Sequence, residues 1–125
     1  FLAAIRDADV LVFARAIHEK WRTLLRRFAR LDSCRDCAQS SLALPRPFVV
    51  PGGRFREFYY WDTFWIVEGL LVSEMCQTAG DVVENMLVMV GEFGFVPNGS
   101  RSYYLNRSQP PLLLDIVERY AEACL

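Results

Sequence analysis

The chain has 125 residues, 53% of them hydrophobic and 23% charged, and Lys+Arg 14 against Asp+Glu 15 give a formal net charge of -1. That length is a little under one typical domain of about 150 residues, and the composition excludes a disordered, collagen-like or low-complexity chain. So balanced a charge sets up no strong field toward nucleic acid or an anionic membrane. The longest run without a charged residue, Cys37 to Pro45, falls far short of the roughly 18 residues that a membrane-spanning helix needs.

The chain opens on Phe1-Leu2-Ala3-Ala4-Ile5, without an initiating Met, a basic n-region or a long apolar h-region, so no signal peptide is read there. From about Asp9 to Leu31 the apolar residues Val10, Phe13, Ile17, Trp21, Leu24, Phe28 and Leu31 recur at steps of three or four, which predicts one long amphipathic helix. Arg15, Glu19, Arg22, Arg26 and Arg30 fall on its other side. A phosphate-binding row is one reading of them; a solvated face with Glu19 pairing its neighbours is the plainer one, and the slightly negative net charge favours it.

From Asp32 to Pro51 the periodicity breaks. Pro45, Pro47 and Pro51 remove backbone donors and push their predecessors toward extended conformations. Leu42, Leu44, Phe48, Val49 and Val50 make this an irregular segment expected to pack across a surface. Asp62 to about Gln77 reads as a second helix, apolar nearly all round and therefore buried on most sides, with Asp62 or Thr63 as its cap. Gly80-Asp81 is expected to start a third helix, with Asp81 and Glu84 at capping-box spacing and Gly91 and Gly94 at its end. A loop from Gly94 to Pro110 follows. Pro111 then opens a fourth helix in the first-turn position that proline tolerates, still running uncapped at Leu125. The expected fold class is all-α: helix pairs joined by two long, structured loops, with no strand pattern longer than Phe58 to Tyr60. Both chain ends read as those of a piece of a longer protein.

Cys34 and Cys37 form a CxxC, while Cys76 and Cys124 stand alone. A zinc site needs a second ligand pair at metal spacing, and a thioredoxin-type CxxC needs a βαβ context; neither is present. The expectation is no metal and no cofactor, with the CxxC as a loop that carries two thiols, or a local disulfide if the protein is extracellular.

Two stretches concentrate polar and aromatic chemistry. The first is Pro51-Gly52-Gly53-Arg54-Phe55-Arg56-Glu57-Phe58-Tyr59-Tyr60-Trp61-Asp62. Paired glycines allow a tight turn and a close backbone approach. Arg54 offers five donors in a rigid fork. Trp61 offers a flat apolar face for a sugar ring, and Asp62 offers acceptors for hydroxyls. The plainer reading is a buried aromatic cluster with Arg54 and Glu57 paired. The second stretch holds Asn98-Gly99-Ser100 and Asn106-Arg107-Ser108-Gln109-Pro110-Pro111. Its two N-x-S sequons are weak signals, and a ligand-facing role is favoured over glycan attachment.

These residues resemble the α,α-trehalase family. Pro51-Gly52-Gly53-Arg54-Phe55-x-Glu57-x-Tyr59-x-Trp61-Asp62 is similar to that family's first signature. Val96-Pro97-Asn98-Gly99 and Tyr103-Tyr104-Leu105-x-Arg107-Ser108-Gln109-Pro110-Pro111 are similar to its downstream segments, in the right order. One departure is Phe64, where the family usually has Tyr; it removes one hydroxyl. The resemblance implies a partial (α/α)6 toroid with a loop-built active site, the chain being an incomplete N-terminal portion of that catalytic domain. It implies hydrolysis of α,α-trehalose to two glucoses with inversion. The acid Asp and base Glu, about 6.5–9.5 Å apart in such enzymes, belong to later segments, as does the second signature. No catalytic residue is therefore expected in this chain, and Asp62 is not the acid.

What the resemblance carries over is substrate binding, by Arg54, Trp61, Asp62, Asn98, Arg107, Ser108 and Gln109, with Glu57 supporting them from behind. It implies trehalose as the partner, no nucleic acid and no membrane contact from this segment. The likeness to animal trehalases around Tyr59 to Met75 points to a secreted or surface-attached parent. The alternative is a non-catalytic helical carbohydrate-binding or interaction module derived from the same family.

Overall fold

The computed structural model describes residues 1–29 and 38–125. The expected end of the first helix at Leu31 and the Cys34–Cys37 pair lie outside the described residues. The described chain is mostly helical, in the order α1 (Ala8–His18), α2 (Lys20–Leu24), β1 (Leu25–Arg26), β2 (Phe48–Val49), α3 (Asp62–Val72), α4 (Cys76–Phe93) and α5 (Leu113–Cys124).

The long first helix expected from periodicity is not continuous. Asp7 caps α1, accepting from the N–H groups of Asp9 and Val10 at 3.0 Å each. The helix closes at His18, α2 adds a short turn, and Leu25 leaves in an extended conformation. β1 then pairs antiparallel with β2, Leu25 opposite Val49 and Arg26 opposite Phe48. This ladder departs from the all-α expectation. Tertiary pairing overrides the local pattern because Phe48 and Val49 are buried and need backbone partners. Only the C-terminal part of the expected stripe reaches the core: Trp21, Leu24 and Phe28 pack against it, with the Phe28 and Phe48 rings 5.4 Å apart. Val10, Phe13 and Ile17 remain exposed.

The proline-rich segment packs as expected. Leu44, Phe48, Val49 and Val50 are buried. Asn85 of α4, itself fully buried, holds this segment: its Oδ1 accepts from the Arg46 N–H at 3.0 Å, and its Nδ2 donates to the carbonyls of Arg46 at 3.0 Å and Pro47 at 3.1 Å. Arg46 also donates to Glu84 at 2.9 Å.

α3, α4 and α5 pack on one another and carry the core. The break between α3 and α4 falls at Ser73–Met75, not near Gly80. There Glu74 adopts a left-handed φ of 57° and Met75 N–H donates to Leu70 C=O at 2.9 Å. Gly80 lies inside α4, where a Cβ would stand 2.7 Å from the Tyr120 hydroxyl. It serves helix approach instead of helix initiation, and Asp81 and Glu84 are mid-helix. Ala79, Val82, Val83, Met86 and Met89 form the buried stripe of α4. Gly94, at φ 82°, ends α4 as expected; Gly91 is inside it. α5 begins at Leu113, two residues after Pro111, and buries Ile116.

Cys76 and Cys124, expected to stand alone, form a disulfide with Cα atoms 5.7 Å apart. It ties the start of α4 to the end of α5. At the opposite end the Leu113 N–H donates to the Tyr60 hydroxyl at 3.0 Å, which sets the starts of α3 and α5 side by side. No helix among the described residues is long and apolar enough to cross a membrane.

Candidate functional site

The site is built where α3 and α5 begin and α4 ends. Gly52 and Gly53 have φ of 106° and 58°, values that side chains resist. Gly52 and Phe55 exchange hydrogen bonds at 3.2 and 3.0 Å, which makes a tight turn with Arg54 near its tip. The chain then runs through Phe58–Tyr60 beside Asn98–Ser100, with Tyr59 opposite Gly99. Tyr60 N–H donates to Asn98 C=O at 3.1 Å and Ser100 N–H to Phe58 C=O at 3.2 Å. The second loop closes on itself through Asn98 N–H to Arg107 C=O at 3.1 Å. No side chain caps α3. The Thr63 hydroxyl donates back to Tyr59 C=O at 2.6 Å, and the backbone N–H groups of Thr63 and Phe64 reach Tyr60 and Trp61 carbonyls.

The side chains singled out in the sequence divide by how they are used. Gln109 Oε1 accepts from the Trp61 N–H at 3.0 Å, so it locks the second loop to the start of α3 while its amide nitrogen still donates. The Ser108 hydroxyl donates to Val96 C=O at 2.7 Å and keeps its oxygen as an acceptor. Arg107 Nε donates to Asn106 at 2.9 Å, which orients the guanidinium and leaves its terminal nitrogens directed elsewhere. The side chains of Asp62 and Asn98 make no hydrogen bond among the described residues. Trp61 is 41% exposed and meets Trp65 edge to face, centroids 5.3 Å apart.

Arg54 and Arg107 stand at the two ends of one row of rings. The Arg54 guanidinium lies over Phe55 at 5.0 Å. Phe55 meets Tyr59 at 5.7 Å, and Tyr59 meets Tyr104 at 6.4 Å. Arg107 lies over Tyr104 at 5.9 Å. Cations over aromatic faces are held in place by the ring quadrupole. Phe55, Tyr59 and Tyr104 were not singled out from sequence, although they stand within the motifs; spacing does not reveal that the two stretches share one wall.

The plainer reading of the first stretch paired Glu57 with Arg54. The structure pairs Glu57 with Arg101 instead, through Nε at 2.7 Å and through Nη2, and Arg101 Nη1 donates to Ser40 at 2.9 Å. The hydrogen bond from Arg101 to the Glu57 carboxylate raises the pKa of the guanidinium. Within the row, burial first, then Tyr104 and Glu57, push the pKa of the Tyr59 hydroxyl above its ordinary value, so it stays a neutral donor and acceptor. Exposed rings, guanidinium forks, amides and an unpaired carboxylate suit a neutral polyhydroxylated ligand better than an ion.

Helices that carry their polar and aromatic groups on loops at one end define the class: a helical protein with a loop-built binding face. The chain belongs to the trehalase family, whose model matches residues 1–124. It is 53% identical to a trehalase of Dictyostelium discoideum over 98% of this chain and 20% of that protein. Against a trehalase of Bombyx mori it is 48% identical over 98% of this chain and 21% of that one. Among solved structures it resembles the neutral trehalase of Saccharomyces cerevisiae, with TM-score 0.59, 38% identity, and coverage of 62% of this chain and 14% of that one. The chain thus spans about a fifth of the length of the curated relatives it matches.

Proposed function

We propose that this chain is the N-terminal portion of an (α/α)6 trehalase catalytic domain, and that the whole protein hydrolyses α,α-trehalose to two glucoses with inversion. In this reading the segment holds sugar and performs no proton transfer. Trp61 stacks on a glucose ring. Arg54 and Arg107 donate to hydroxyls from the two ends of the aromatic row. Asp62 and Asn98 accept and donate at hydroxyls, while Ser108 and Gln109 fix the loops and complete the set. Glu57 works through Arg101, by which it ties the second loop to the first. The acid and base come from other segments. Holding a disaccharide in a near-attack pose supplies several kcal/mol of barrier reduction.

The observation that supports this reading best is the row from Arg54 through Phe55, Tyr59 and Tyr104 to Arg107, which joins the two stretches that resemble trehalase signatures. The test uses the whole protein that contains this segment. Arg54→Ala and Arg107→Ala are each expected to lower kcat/KM for trehalose by about 100-fold or more, with unfolding midpoints near wild type. Wild-type kinetics in either variant remove that residue from the site. Trehalose binding without turnover by the wild-type whole protein selects the non-catalytic alternative.

A further inference from the structure

The exposed face of α3 continues beyond Trp61. One turn on, at the i+4 position, stands Trp65, 56% exposed. Two ring contacts define its geometry. Its ring meets that of Trp61 at 5.3 Å with planes at 89°. It also meets Phe64 at 5.4 Å and 84°. Trp61 itself is tethered at its backbone by Gln109. Trp65 thus stands between Phe64 and Trp61 in one chain of edge-to-face ring contacts.

We infer that Trp65 is a positioning residue of the sugar site, setting through its edge-to-face contact the face that the Trp61 indole presents to a glucose ring. The inference rests on the proposed trehalose reading and deepens it. Indole side chains rotate about two bonds, and stacking on a sugar needs one orientation; a neighbour that removes the freedom in advance reduces the ordering cost at binding. Such a residue acts on binding in ground and transition states alike. Its loss therefore raises KM and leaves kcat largely in place.

The test is steady-state kinetics on trehalose in the whole protein with Trp65→Leu, Trp65→Phe and Trp61→Phe. Trp65→Leu is expected to raise KM about 5- to 10-fold, the loss of one aromatic pair, with kcat within about twofold. Trp65→Phe, which keeps a ring edge, restores most of the affinity. In the Trp61→Phe background, replacing Trp65 by Leu adds less than it does alone, because there is no indole left to orient. Unchanged KM in Trp65→Leu, a fall in kcat at constant KM, or additive effects in the double variant overturn the inference. If Trp65→Leu does not fold, Trp65→Met, which also lacks a ring, with and without Trp61→Phe is read the same way, and additivity overturns it. Absence of trehalose turnover in the wild-type protein sinks the functional reading itself; turnover that is indifferent to Trp65 sinks this inference alone.

Discussion

Gly99 sits where the two site loops come closest. A Cβ there would stand 2.8 Å from the Phe58 carbonyl oxygen, which is backbone and held in a bridge, so it has little room to yield. Gly99→Ala is expected to cost about 1–3 kcal/mol of stability and to displace Asn98 and Ser100; denaturant midpoints read the first and trehalose affinity the second. Tyr60 is a second residue on which the arrangement turns. Its hydroxyl takes the Leu113 N–H, and burial raises its pKa, as it does that of Tyr59. A raised tyrosine pKa means that the folded state binds the proton more tightly than the unfolded one. The associated stability is full below about pH 10, the ordinary tyrosine value, and is lost as pH rises beyond it. Urea midpoints measured stepwise through the alkaline range should fall there. Tyr60→Phe should lose about 1 kcal/mol through the orphaned Leu113 N–H and should flatten part of that fall; a steeper fall contradicts the assignment.

At the scale of elements, the extended segment before β2 and helix α4 depend on each other through Asn85. Asn85→Ala leaves two carbonyls and one N–H of a part-buried segment without their partners, where a fully buried unsatisfied group would cost about 1–3 kcal/mol. The expected result is a loss of more than about 2 kcal/mol, with hydrogen exchange opening first at residues 45–50; uniform protection across that segment would show that the anchor lies elsewhere. The break between α3 and α4 teaches a related lesson. Glycine at position 80 is the obvious stop signal, yet the chain stops at Ser73–Met75 and puts Glu74 into a left-handed conformation that costs about 1–2 kcal/mol. The Trp21 indole N–H donates to Ser73 Oγ at 3.0 Å, and Cys76 reaches Cys124, so contacts from distant segments fix the corner.

Across the whole molecule, the Cys76–Cys124 bridge closes a loop of sequence separation 48 that contains the entire second site stretch. A loop of that length is stabilised by about 4 kcal/mol in the chain-entropy account. Reduction by a dithiol, or the pair Cys76→Ser and Cys124→Ser, should lower the thermal midpoint by several degrees; an unchanged midpoint together with thiol labelling mapped to Cys76 and Cys124 before reduction would show that the bond is absent. The isolated chain leaves Phe13, Ile17, Trp65, Val72 and Leu114 on its surface. Exposed apolar groups of this kind drive association, so sedimentation of the purified chain should depend on concentration.

Helical spacing predicted α3, α4 and α5, though not the corner between α3 and α4, and apolar residue type predicted the burial of Leu44 and of Phe48 to Val50, because both are local properties of the sequence. The motifs alone pointed to the family, since glycines, arginines and aromatic rings at those spacings form a long and specific string. What local spacing does not contain is pairing between distant segments. The β1–β2 ladder that cuts short the first helix, the bond between Cys76 and Cys124, the exchange of Arg54 for Arg101 as partner of Glu57, and the row of rings from Arg54 to Arg107 all join residues far apart in the chain. Each is decided by which buried polar or apolar groups find partners once the helices pack, and that is settled only in three dimensions.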